Sequence, residues 1–281
     1  MFKNKINKQS IKKLYLKSNQ IRRDTLKMVY HAQSGHLGGA FSSAEMVVSL
    51  YYDLMNIIPH QPDWELRDRF ILSKGHACPI LYTTLADKGY FKKEECNSFR
   101  CLGSILQGHP DINKCPGLDA TTGSLGAGLS IGVGMALASK YLKRSNYIYV
   151  IIGDGECQEG QIWEAAMSAS KYQLDNLIVF LDYNKIQVDG FVDEVMPIEP
   201  INDKWRAFNW DVQEIDGHNI QEILSSVYKA WDSDIKKPHM IVAHTIKGKG
   251  VSFMENKPRW HSGAPNEKEF LEAMKELEDN I

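Results

Sequence analysis

Apolar residues recur along the chain with two periods. From Ser42 to Asn56 (SSAEMVVSLYYDLMN), Val47, Val48, Leu50, Tyr51, Leu54 and Met55 fall at helical spacing, and Ser42 with Glu45 has the form of a capping box. Shorter apolar runs read as buried strands: RFIL after Asp68, YIYVII from Tyr147, NLIVFLDYN from Asn176, DVQEIDG from Asp211 and PHMIVAHT from Pro238. Helical patterns lie between them, one following the loop Ser73–His76 and ending near Gly89, one over 158–172 and one over 220–231. Near the end, Asn266 is placed to cap a helix, with Glu269 three residues on. Strands alternating with helices predict a doubly wound α/β fold, a mostly parallel sheet with helices on both faces. No polar linker divides the chain, so residues 1–281 are expected to form a single domain.

Two stretches test that picture. Ala120 to Ser139 carries no charged residue, a length that could span a bilayer, but it holds five glycines and opens on Thr and Ser. It reads as a glycine loop leading into a tightly packed helix, and no membrane association is expected. The basic N-terminus lacks the apolar run of a secretory signal and reads as a solvated helix leading into the fold. Lys and Arg total 33 against 35 Asp and Glu, a net charge of −2 that argues against binding nucleic acid by bulk charge. The five cysteines, Cys78, Cys96, Cys101, Cys115 and Cys157, contain no C-x-x-C pair and suit reduced thiols in a cytoplasmic protein.

The candidate chemistry starts where a strand runs into an acid. YIYVII passes directly into Gly153-Asp154-Gly155, and the next strand ends at Asn184. Ligands of open parallel sheets bind beyond the carboxyl ends of the strands. If the two strands are neighbours, Asp154 and Asn184 converge across 30 residues of sequence. A carboxylate and an amide oxygen are hard ligands suited to Mg²⁺ or Ca²⁺, and a divalent ion would let an acid share a site with phosphate. The plainer alternative makes Asp154 a helix cap and leaves Asn184 in a turn. Four histidines, His36, His76, His109 and His218, directly follow glycine. Imidazoles in glycine loops at strand ends could bind phosphate or move protons near neutral pH. No P-loop lysine or complete G-x-G-x-x-G follows a strand.

With SGHLGGAFSSAE, LSKGHACPILY, LQGHPD, TTGSLGAGLSIGVGMALA, GDGECQEGQIWEAAMSA, DYNKIQVDG, DGHN and HTIKGKGVSFMENKPRWH in this order over 34–261, the sequence resembles the transketolases. The resemblance implies thiamine diphosphate as cofactor, with Mg²⁺ or Ca²⁺ held on its diphosphate by Asp154, Asn184 and the backbone carbonyl of Ile186. It implies that Gly155, His76 and His261 contact the diphosphate, that Glu156 belongs to the same cofactor-binding set, and that Gly123, Ser124 and Leu125 line the cofactor near its aminopyrimidine. His36, His109 and His261 would face the sugar and shuttle protons, with His76 beside them in the catalytic set. The implied reaction is transfer of a two-carbon ketol unit between sugar phosphates, in the pentose phosphate pathway. Departures are Leu37 where many relatives have Pro, Ala127 where Gln is common, and Ser262 before Gly263. The family's pyrimidine-binding domain and its activating glutamate do not follow His261, so the resemblance implies a separate C-terminal subunit, self-association and a 2+2 assembly. The alternatives are a pathway-specific or deoxyxylulose-phosphate-synthase-like subunit, or a non-catalytic binding subunit.

Overall fold

The computed structural model describes residues 7 to 279. Five parallel strands form one sheet: β1 (Arg69–Leu72), β2 (Ile148–Gly153), β3 (Leu177–Tyr183), β4 (Asp211–Asp216) and β5 (His239–His244), in the order β1-β2-β3-β5-β4. All five predicted strands are present. Ten α-helices are described: α1 (Lys8–Ala32), α2 (Leu37–Ser42), α3 (Ala44–Ser49), α4 (Cys78–Lys88), α5 (Ala127–Tyr141), α6 (Gly160–Lys171), α7 (Val192–Val195), α8 (Ile201–Ala207), α9 (Ile220–Trp231) and α10 (Glu267–Asp279).

Side chains of a strand point alternately to opposite faces, so a strand buried on both sides must be apolar throughout. The central strands follow this rule. Tyr149, Ile151, Ile178, Phe180, Ile241 and Ala243 join one core cluster, with residues of α1, α3, α4 and α9. Ile148, Val150, Ile152, Leu177, Val179, Leu181, Met240 and Val242 join the other, with residues of α5, α6 and α8. Helices therefore cover both faces, as the doubly wound reading requires.

The uncharged stretch is a glycine loop followed by α5. Its glycines allow the helix to lie directly on the sheet. A Cβ at Gly128 would stand 2.7 Å from the Ser73 Cα, and one at Gly132 would stand 2.7 Å from a Val150 methyl. Among the described residues, no helix is long and apolar enough to cross a membrane. Asn266 and Glu269 form the predicted reciprocal cap, each backbone N–H donating to the other's side chain at 2.9 Å.

Three local expectations fail. The helix expected from Ser42 forms as α3 continued by a π-helical turn at Leu50–Leu54, but its capping box does not form. Ser42 Oγ donates to Asp182 at 2.6 Å and Glu45 pairs with Arg22, because both residues are buried where tertiary partners outcompete a local cap. The N-terminal helix is not simply solvated either. Leu14, Ile21, Leu26 and Val29 give α1 a buried stripe. The helix expected from Gln158 starts at Gly160, after a 3-10 turn over Gly155–Gln158.

Candidate active site

The carboxyl ends of β1, β2, β3 and β5 form the rim of a cleft of about 320 Å³. β2 and β3 are neighbours in register, with Gly153 opposite Asp182. Asp154 and Asn184 are therefore brought together, as their positions at successive strand ends predict. One Asp154 oxygen accepts from Gly155 N–H at 2.8 Å, and the other accepts from Lys185 N–H. Asn184 Oδ1 accepts from Ile186 N–H at 3.1 Å, while its amide donates to Asp182 at 3.0 Å. The Ile186 carbonyl accepts from the Lys247 ammonium at 2.8 Å.

Three of these groups are hard oxygen donors lining the cleft. Burial, followed by the charge of Asp182, pushes the Asp154 carboxyl up to about 7. A buried carboxylate near another acid gains from a bound cation, and a metal on the Ile186 carbonyl would displace the Lys247 ammonium that it accepts from in this structure. The residues present thus fit a divalent ion.

Three of the predicted histidines line the same cleft. His36, His76 and His261 stand with ring centroids 5.2 Å (36–76), 5.6 Å (36–261) and 5.0 Å (76–261) apart. His109 packs beside Gly123, where a Cβ would lie 3.2 Å from its ring. Each ring disfavours a proton. Burial and then Arg100 lower His36 to about 4, and burial and then Lys247 lower His261 to about 3. Burial is also the main cause for His76, followed by Lys74, and for His109, followed by Arg100. Neutral imidazoles offer one donor and one acceptor, as proton transfer requires. Lys247 donates to His261 Nδ1 at 2.9 Å, so the ring proton of His261 sits on Nε2.

His36 has a depressed pKa, so the unfolded chain binds its proton first as pH falls, and the stability that the neutral ring allows is lost between about pH 6.5 and 4. A His36→Gln protein escapes that loss. Relative to the unaltered chain it should gain about 1–2 kcal/mol over this interval, after discounting for a half-buried ring. Urea unfolding at pH 6.5 and pH 4.5 measures it, and a constant difference between the two proteins would refute it.

The remaining predicted residues divide. Gly123, Leu125, Gly155 and Glu156 line the cleft, and Ser124 lies on the exposed turn between the two lining loop residues. Glu156 is 2% exposed, and its oxygens accept from Gly126 N–H at 2.8 Å, Gly153 N–H at 3.0 Å and Ser73 Oγ. It therefore ties the glycine loop to the ends of β1 and β2.

Sequence reasoning passed over Lys74, Asp182 and Lys247. Lys74 Nζ donates to Asp182 at 2.5 Å, Ser43 at 2.6 Å and the Gly39 carbonyl at 2.7 Å, all buried. A signal existed for Asp182: it is the one acid in the otherwise apolar LIVFLDY, and a buried acid needs a cation. Nothing in the sequence names Lys74 as that cation.

Residues 15–278 match the family model described as "Transketolase, thiamine diphosphate binding domain". The chain belongs to the transketolase family. It is 51% identical over 261 residues to the 6-deoxy-6-sulfo-D-fructose transketolase subunit SqwG of Clostridium sp. (strain MSTE9), covering 93% of this chain and 94% of that protein. It is 43% identical over 271 residues to an apulose-4-phosphate transketolase subunit of Phocaeicola vulgatus, covering 96% of each. The solved transketolase from Leishmania mexicana has the same fold at a TM-score of 0.90 and 31% identity, covering 95% of this chain and 41% of that one. The chain thus spans nearly all of these two smaller relatives and about two fifths of that solved transketolase. The residues that line the cleft all fall within the stretch matched by this family domain.

Proposed function

We propose that this chain is the N-terminal subunit of a split transketolase, a single diphosphate-binding domain that becomes active with a separate C-terminal subunit. The assembly transfers a two-carbon ketol unit from a ketose phosphate to an aldose phosphate. The observation that supports this most is that Asp154, Asn184 and Ile186 line one cleft together with the neutral imidazoles of His36, His76 and His261. Asp154, Asn184 and Ile186 would hold Mg²⁺ or Ca²⁺ on the cofactor diphosphate, with Gly155, His76 and His261 on its oxygens. Gly123, Ser124 and Leu125 would line the cofactor. Thiamine diphosphate, when bound, supplies the electron-accepting centre for cleaving a bond beside a carbonyl. The protein's own part is orientation and proton movement. His36, His109 and His261 bind the sugar hydroxyls, and their uncharged rings take and return hydroxyl protons. Self-association into a 2+2 assembly in the cytoplasm completes the reading.

A second reading concerns the sugar. The relatives at 51% and 43% identity are named for 6-deoxy-6-sulfofructose and apulose 4-phosphate, which favours a pathway-specific donor over the pentose phosphates.

The test is a coupled ketol-transfer assay with thiamine diphosphate and Mg²⁺, using this chain alone and mixed with a candidate C-terminal partner. Ketol transfer in the mixture and not by this chain alone is the expected result, and transfer from xylulose 5-phosphate to ribose 5-phosphate would support a pentose phosphate donor. Transfer by the single chain, free of other proteins, would refute the split arrangement. A mixture that binds cofactor but moves only the sulfosugar or apulose phosphate establishes the second reading.

A further inference from the structure

DGHN, the turn after β4, contributes no residue to the cleft lining, yet its histidine is nearly enclosed. Each of its four residues has a structural task. Asp216 accepts from His218 N–H at 2.8 Å, closing the turn. Gly217 lies so close to β5 that a Cβ would come within 2.5 Å of the Thr245 methyl. Asn219 caps α9 through Gln221 N–H at 3.1 Å and Glu222 N–H at 3.3 Å. The His218 side chain, 12% exposed, is thereby directed inward.

There it makes two bonds of fixed polarity. Ile246 N–H lies 2.9 Å from His218 Nε2, and a backbone N–H can only donate, so Nε2 carries the lone pair. The ring proton is therefore on Nδ1, which donates to Glu45 Oε2 at 2.9 Å. Glu45 is held in turn by both terminal nitrogens of Arg22, at 2.5 and 2.6 Å. Arg22 also donates to the Phe41 carbonyl at 2.8 Å, in the helix that begins directly after His36. A buried chain of charge-assisted bonds thus runs from α1 through α3 to the backbone of Ile246.

The next residue is Lys247, whose ammonium bonds both the Ile186 carbonyl and His261 Nδ1. We propose that His218 is a positioning residue: as the acceptor for Ile246 N–H it sets the loop that carries Lys247, and through it the diphosphate wall and the orientation of His261. This rests on the function proposed above. Partners one bond removed from a ligand-holding group commonly change affinity by roughly 10–100-fold when lost.

Two variants separate positioning from simple packing. His218→Gln keeps a side-chain acceptor within reach of Ile246, whereas His218→Phe keeps the bulk and offers none. Calorimetric titration of the folded full-length chain, by itself and with a C-terminal partner, should show Mg²⁺–thiamine diphosphate binding about tenfold or more weaker in His218→Phe. In His218→Gln it should stay within about threefold of the unaltered chain. Hydrogen exchange over residues 245–251 should lose protection in His218→Phe and keep it in His218→Gln. Equal affinity and equal protection in the two variants would overturn the inference. An unaltered chain that binds no thiamine diphosphate in either setting would overturn the proposed function instead, and exchange at Ile246 would still decide whether His218 sets the loop.

Discussion

An Asp154→Ala protein should fold normally and lose about a thousandfold in metal-dependent ketol transfer, on the order of 4 kcal/mol. Asp154 is 3% exposed and faces the charge of Asp182, so its carboxylate is costly to keep there. Removing it relieves a like-charge repulsion but leaves Gly155 and Lys185 N–H without their acceptor, so the net change in stability should be under about 1 kcal/mol. If accepting from Gly155 and Lys185 N–H were its only role, the pattern would differ: a stability loss of about 1 kcal/mol or more and cofactor binding unchanged. Urea unfolding and Mg²⁺–thiamine diphosphate titration of the same variant therefore decide between cap and ligand. A destabilised protein that still binds cofactor with normal affinity would remove Asp154 from the proposed metal site.

Lys74→Met should cost about 3–5 kcal/mol of stability, because it leaves a fully buried acid without its cation. Lys74 is 3% exposed and Asp182 is 0% exposed. Burial alone would raise the Asp182 carboxyl. The Lys74 ammonium, with bonds from Ser42 and Thr245, holds it below its ordinary value instead. Methionine fills the space of the lysine stem but donates nothing to Asp182, Ser43 or the Gly39 carbonyl. Adding Asp182→Leu removes the stranded charge and should recover part of the loss, though the donors on Ser42, Thr245 and Asn184 then lack their acceptor. Urea unfolding of the single and double variants gives both numbers. A single-variant loss below about 1 kcal/mol would mean that the remaining three donors suffice for Asp182.

Both predictions depend on groups that differ in how legible they are from sequence. Asp154 could be found because chain order and sheet rules placed it: a strand, a glycine turn, a crossover helix and a second strand ending at Asn184 leave few other arrangements. The five strands and the helices between them were legible for a related reason. Residues buried on both faces of a parallel sheet must be apolar throughout, and that run is visible without coordinates. The Asn266–Glu269 cap was equally legible, since both partners lie within one turn and the Arg259 ion pair takes Glu269 Oε1, leaving Oε2 for the cap.

The same local motif at Ser42 and Glu45 failed because those residues are buried, with Asp182, Arg22 and His218 within bonding distance. The contrast between the two capping boxes marks the boundary. Sequence alone determined the α/β framework, the order of its strands along the chain and the acid at the mouth of β2, because each follows from local pattern or from rules of chain connection. Tertiary structure alone decided which buried charges meet: Lys74 with Asp182 across 108 residues, and Glu45 with His218 across 173. A charge leaving water must find a partner, but that partner is selected by packing in three dimensions, and spacing along the chain carries no record of it.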